Sequence, residues 1–233
     1  MLIKSTNSAP YDSWGADCIY MEKDMSQKID IVLASQSPRR RELLEREGVP
    51  FTVQVSEVDE TLEPDLLNQP EEAVKKLAER KAGAVVQQVL GIDYVGASAI
   101  VGADTMVVLD GKIYGKPNDI DDARAILREL SGRTHEVITG VSVWLVSAPN
   151  TEDVSLGVRT FTETSRVTFK KLTDEIIDAY IATGEPMDKA GAYGIQGKGG
   201  DLVHAIDGDF DNIVGFPVKR FMDEFSEIIE AAR

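Results

Sequence analysis

Cysteine is all but missing from this chain: Cys18 is the only one among 233 residues. That excludes an internal disulfide framework and fits a reducing cytoplasm. Histidine is nearly as scarce, and His135 and His204 are too few for a His-rich metal site. No apolar run approaches the ~20 residues that span a bilayer. Residues 1–28 lack the charged-then-apolar order of a secretory signal. Basic residues are in deficit, 25 Lys and Arg against 40 Asp and Glu, for a formal net charge of −15. So acidic a chain is unsuited to non-specific binding of nucleic acid or of anionic membrane surfaces. The expectation is a cytoplasmic protein with neither nucleic acid nor membrane as partner.

Against that deficit, Arg39, Arg40 and Arg41 stand in one run. They follow a β-branched apolar segment, Ile29-Asp-Ile-Val-Leu, then Ser35, Ser37 and Pro38. Ser37 reads as a helix N-cap and Pro38 as the first helical residue, where its missing N–H costs nothing. The first turn of a helix carries partial positive charge, so cations are disfavoured there and anions are welcome. Other helical patterns open with acids: Glu71-Glu72, Asp119 to Asp122, and Asp174-Glu175. The last, with Lys219 and Arg220 after Pro217, is less tidy. Either a bound polyanion resolves the conflict, through free N–H groups and guanidinium forks, or the arginines point into solvent or pair with the plentiful acids.

Further along, Gly48 fits a helix stop, and residues 51–55 alternate as a strand should. Glu57, Asp59 and Glu60 then form an acidic run, either oxygen ligands for a divalent cation or a solvated loop. In the helical pattern over 71–90, Val74, Leu77, Ala78, Val85 and Val89 make one apolar stripe with Lys81 in its middle. A lysine on a core face snorkels out or meets an anion, which here is either the arginines' ligand or a carboxylate. The most apolar strand, 99–109, is interrupted by Asp104, which needs a cation, a metal or a proton. Asp110-Gly111 predicts a hairpin turn that brings Lys116 back towards Asp104. A helix over 118–130, a long antiparallel pair over 135–146 and 156–169, and a helix over 173–183 follow. Residues 184–200 hold six glycines around Glu185, Asp188, Lys189 and Gln196, a backbone permissive enough for a ligand to approach closely. A short strand over 202–206 and a helix from Pro217 finish the chain, with no repeat and no linker. Residues 1–28 read as a loosely ordered extension and residues 29–233 as the folded domain.

Four of these segments, Leu33-Ala-Ser-Gln-Ser-Pro-Arg-Arg, Gly102-Ala-Asp-Thr, Gly115-Lys-Pro and Asp188-Lys-Ala-Gly-Ala-Tyr-Gly-Ile-Gln-Gly, resemble the Maf family of nucleoside triphosphate pyrophosphatases. The resemblance covers about residues 29 to 230. It implies an α/β fold with a long mixed sheet flanked by helices, similar to that of inosine triphosphate pyrophosphatases. It also implies cleavage of a nucleoside triphosphate between the α- and β-phosphates, a divalent cation (Mg, Mn or Co), a housecleaning role and commonly a homodimer. By resemblance, Ser35, Arg39, Arg40, Lys81 and Lys116 match phosphate-contacting positions. Asp104 matches the catalytic acidic residue, either as base or as metal ligand, and Glu60 an acidic position linked to activity. Arg39, Thr105 and Gln196 match positions linked to specificity; the third arginine, Arg41, matches none.

The stretch ending in Gln196 is similar to the dTTP/UTP-hydrolysing branch, whereas the branch acting on 7-methyl-GTP typically carries a glutamate variant there. A carboxamide offers both donor and acceptor, which suits the imide edge of uracil or thymine. Two alternatives remain: the 7-methyl-GTP branch, disfavoured by Gln196, and a nucleotide-binding regulator of septum formation, which has no need of Asp104 or the acidic loop.

Overall fold

The computed structural model describes residues 28–55, 57–91 and 93–233. The expectation of an extension over residues 1–28 therefore lies outside the described residues, Lys28 excepted. The strands are β1 (Ile29–Leu33), β2 (Thr52–Val53), β3 (Gly96–Leu109), β4 (Lys112–Tyr114), β5 (Thr134–Ala148), β6 (Ser155–Phe169) and β7 (Val203–Asp207). The helices are α1 (Pro38–Arg46), α2 (Pro70–Leu90), α3 (Ile120–Leu130), α4 (Asp174–Ile181), α5 (Phe210–Val214), α6 (Val218–Glu224) and α7 (Ser226–Ala232).

All seven strands join one mixed sheet in the order β2-β1-β3-β5-β6-β7, with β4 paired to β3. β1 runs parallel to β2 and β3, while each neighbouring pair along β3, β5, β6 and β7 is antiparallel. β5 covers one edge of β3 from Gly96 to Val108. The other edge is shared, with β1 covering it as far as Val101 and β4 from Val107 onward. Between those two points the sheet forks, and Asp104 stands in the fork.

α2 lies across one face, with its predicted stripe buried and joined by Ala73, Ala82 and Val86. Its approach is unusually close, because a Cβ on Gly102 would lie 2.4 Å from the Ala78 carbonyl oxygen and one on Gly140 2.6 Å from that of Val74. Only glycine leaves room for helix backbone there. The opposite face holds two aliphatic and aromatic clusters, one under α1, α6 and α7 and the other under α3 and α4.

The long antiparallel pair and the Asp110-Gly111 turn, both at positive φ as a type I′ hairpin requires, form as expected. Three expectations are corrected. The strand over 51–55 shrinks to β2, because β1 offers only Val32 and Leu33 for pairing before turning into Ser35. The third helix starts two residues later, at Ile120, with the Asp119 carboxylate accepting from the Asp122 N–H at 2.8 Å. The last helix splits at Phe225, where φ −123 and ψ 27 leave the helical range and the ring is buried beside Phe161 and Phe221.

Overpacking of the kind that Gly102→Ala introduces costs about 1–3 kcal/mol. Chemical denaturation of that variant is expected to show a lower midpoint with an unchanged slope. A midpoint equal to the parent's contradicts the close approach of α2.

Candidate active site

The fork in the sheet brings three charged side chains to one point. Asp104 lies on the β3 face that α2 covers, and Lys81 is the α2 residue above it. The Lys81 ammonium donates to Asp104 Oδ1 at 2.6 Å and lies 3.0 Å from Glu60 Oε1. Both members of the Lys81–Asp104 pair are largely buried, their side chains 15% and 12% exposed. The loop that carries Glu60 is tied to α2 by Arg80, whose guanidinium donates to the carbonyls of Asp59 and Thr61 and pairs with Glu63. A stripe lysine resolved by carboxylates is thus the structural branch of the sequence expectation, and it places Glu60 and Asp104 on one cation.

The second wall is the start of α1. The helix has no acid in its first turn, and the Ser37 side chain, although at the N-cap, caps nothing. Ser35 Oγ instead accepts the Ser37 N–H at 3.2 Å and Arg40 Nη1 at 3.1 Å. Arg40 also donates to Thr105 Oγ1 at 3.2 Å and to the Gly215 carbonyl at 2.8 Å. Every one of these acceptors is neutral. Burial draws the guanidinium below its ordinary value, Asp104 opposes that, and Arg39 adds to it; an arginine nonetheless keeps its charge. Thr105 shares a further 3.0 Å hydrogen bond with Thr139, which in turn donates to the Asn212 carbonyl.

The glycine-rich segment forms the third wall as three short turns, Glu185–Asp188, Ala190–Ala192 and Lys198–Leu202. Gly191 takes positive φ, and a Cβ there would strike Val107; its N–H donates to the Gly115 carbonyl at 3.0 Å, binding this wall to the loop of Lys116. Ala192 also sits at φ 57, a strained value for a residue with a Cβ. Tyr193 is buried, and its phenol shares a 2.9 Å hydrogen bond with His135 Nε2. Burial raises the Tyr193 phenol well above its usual range.

Together the walls enclose a cleft of 760 Å³. It is lined by Arg39, Arg40, Glu60, Lys81, Asp104, Thr105, Lys116 and Gln196, which are all the sequence-predicted site residues but one. Ser35 is the exception: it is 6% exposed and holds Arg40 from beside the cleft. Arg41 is exposed and outside it. Glu185, Asp188, Lys189 and Tyr193 line the cleft although no role was read for them. The polar ones were visible only as charges among glycines. Lys189 pairs with Asp188; against desolvation, Lys189 and Arg39 hold that carboxyl below its ordinary value. Among the described residues neither Arg39 nor Lys116 forms a salt bridge.

A profile of the family described as "Maf-like protein" matches residues 30–228. The chain belongs to the Maf family. A Bacillus velezensis protein named dTTP/UTP pyrophosphatase is 49% identical over 197 residues, 84% of this chain and 95% of the relative. A Bacillus cereus protein of the same name is 44% identical over 209 residues, 90% and 95% of the two chains. Among solved structures, a Mycobacterium abscessus nucleoside-triphosphatase / dITP/XTP pyrophosphatase matches 88% of this chain and 97% of its own at 15% identity. Its TM-score of 0.39 is too low to carry weight. The Maf signature residues of this chain thus converge on a single cleft.

His135 is 1% exposed, and burial lowers its pKa from 6.5 to about 4. The unfolded chain takes up this proton below about 6.5 and the folded one resists it, so stability falls from there towards pH 4 and levels off below. A depression of that size is worth about 3 kcal/mol. His135→Gln retains a partner for Tyr193 without titrating. The unfolding free energy of the parent relative to this variant is expected to drop between pH 7 and 4; a constant difference contradicts a buried neutral His135.

Proposed function

We propose that this Maf-family protein hydrolyses nucleoside triphosphates between the α- and β-phosphates, taking dTTP, UTP and modified pyrimidine triphosphates. The products are the nucleoside monophosphate and pyrophosphate. The observation that carries this reading is the arrangement of Arg39, Arg40 and Lys116 around one cleft, none of them in a salt bridge among the described residues, beside the Lys81–Asp104 pair. In a chain of net charge −15, such a cluster calls for a polyanion. A triphosphate brings about four negative charges, enough to engage all of these cations.

In the reaction a water oxygen bonds to Pα while the Pα–O bridge to Pβ breaks, and the bond pair leaves with pyrophosphate. Asp104 orients the water or accepts its proton. Lys81, already touching Asp104, meets the phosphate charge as it shifts towards the leaving group, and Arg40 does so from the α1 side. Ser35, Thr105 and the Gly215 carbonyl hold the Arg40 fork, so its orientation is set before substrate arrives.

The donor set suits a divalent cation. Glu60 and Asp104 direct oxygens at one point, the Lys81 ammonium, and among the described residues no cluster of three or more His, Cys, Asp or Glu stands ready to hold a metal. Magnesium-type sites use one or two carboxylates and complete their shell with phosphate oxygens and water. Glu60 and Asp104 are the residues that would hold it, and when bound it neutralises phosphate charge and polarises the scissile bond. At the base end, the Gln196 carboxamide is exposed at the cleft and suits a pyrimidine imide edge. A cytoplasmic homodimer completes the reading, by resemblance to the family.

A pyrophosphate-release assay over a nucleotide panel, with and without Mg²⁺ or Mn²⁺, tests this directly. Turnover of UTP and dTTP over 7-methyl-GTP is expected. Asp104→Asn is expected to lose at least ~100-fold in kcat, the scale of general-base contributions, while nucleotide binding stays measurable. Near-normal turnover by that variant removes Asp104 from the chemistry.

A further inference from the structure

The turn that presents Gln196 is poorly suited to hold anything still, since Gly197, Gly199 and Gly200 follow it and glycine backbone loses the most freedom on ordering. Its stiffness comes from side chains outside the turn itself. Glu185 Oε1 accepts the Lys198 N–H at 3.2 Å, and Oε2 accepts the Gly199 N–H at 3.4 Å. A Cβ on Gly197 would lie 2.6 Å from Glu185 Oε2, so glycine at this position is what lets the carboxylate press against the backbone. Glu185 is itself fixed: its N–H donates to Thr183 Oγ1 at 3.1 Å, Gly184 before it takes φ +78, and Pro186 after it is buried. On the other side of Gln196, the Gly194 N–H donates to the Tyr180 hydroxyl at 3.1 Å. The Gln196 segment is therefore clamped on both flanks, by Tyr180 from α4 and by Glu185 from the start of the glycine-rich run.

Charge gives a second reason to single out Glu185. It lines a cleft that also presents Arg39, Arg40 and Lys116, where a carboxylate close to phosphate would repel it. Accepting two backbone amides just beyond Gln196 ties that charge to the turn, and among the described residues Glu185 forms no salt bridge. We propose that Glu185 is a positioning residue for nucleobase selection, holding the turn of Gln196 against the base. This rests on the reading of Gln196 as the group that meets the base.

The test compares kcat and KM for dTTP, UTP and GTP in the parent, Glu185→Ala, Glu185→Gln and Gln196→Glu. Loss of two amide contacts in Glu185→Ala is expected to raise KM for dTTP and UTP about tenfold and narrow their advantage over GTP. Glu185→Gln, which keeps one acceptor oxygen, falls in between. A merely structural role lowers kcat for all three nucleotides alike and leaves their KM ratios unchanged. Parental KM values and preference in Glu185→Ala, alongside altered preference in Gln196→Glu, overturn the role of Glu185 and leave the base reading intact. Unaltered preference in both variants overturns the base reading and this inference with it.

Discussion

The Lys81 ammonium between Glu60 and Asp104 is the contact on which the rest of the site depends. It joins three elements that are far apart in sequence: the acidic loop, the helix α2 and the strand β3. Lys81 can reach Asp104 because α2 rides directly on the sheet over Gly102 and Gly140. Asp104 is reachable because β1 leaves β3 at Val101 and β4 does not join it until Val107. A closed sheet would have sealed the carboxylate into the core, where an isolated charge is untenable. The fork gives it a cleft and a cation instead.

The remaining cations follow a different rule. Arg40 is held by two hydroxyls and a carbonyl, which satisfy its geometry with neutral acceptors. Arg39 and Lys116 stand on separate walls with no salt bridge among the described residues. Elsewhere in this acidic chain, pairs such as Arg124–Asp178, Arg128–Asp174 and Lys112–Glu129 neutralise surface cations. In the cleft Glu60, Asp104, Asp188 and Glu185 are engaged instead with Lys81, Lys189 and backbone amides, which leaves Arg39, Arg40 and Lys116 without salt bridges among the described residues.

Much of this was legible in the sequence because it violated a local rule. Arginines at a helix start, a lysine in an apolar stripe and an aspartate in an apolar strand each demanded a partner, and the partners turned out to share one cleft. The antiparallel pair and the hairpin were legible from alternation and from Asp110-Gly111. What stayed hidden depends on tertiary approach. Glu185 obeys every local expectation for a loop residue, and its two amide partners lie 13 and 14 positions away. The His135–Tyr193 contact spans 58 positions and joins a strand to a loop. Ser35 was read as a phosphate contact, and its burial beside Arg40 comes from the way β1 turns into α1. The length of β2 was likewise set by its neighbour, not by its own alternation.

In the proposed reaction the cleft directs water at Pα. Hydrolysis of dTTP in ¹⁸O-labelled water, read by mass spectrometry of the two products, tests it most directly. Attack at Pα places one label in the nucleoside monophosphate and none in pyrophosphate. Label in pyrophosphate, or release of inorganic phosphate with a nucleoside diphosphate, contradicts the account.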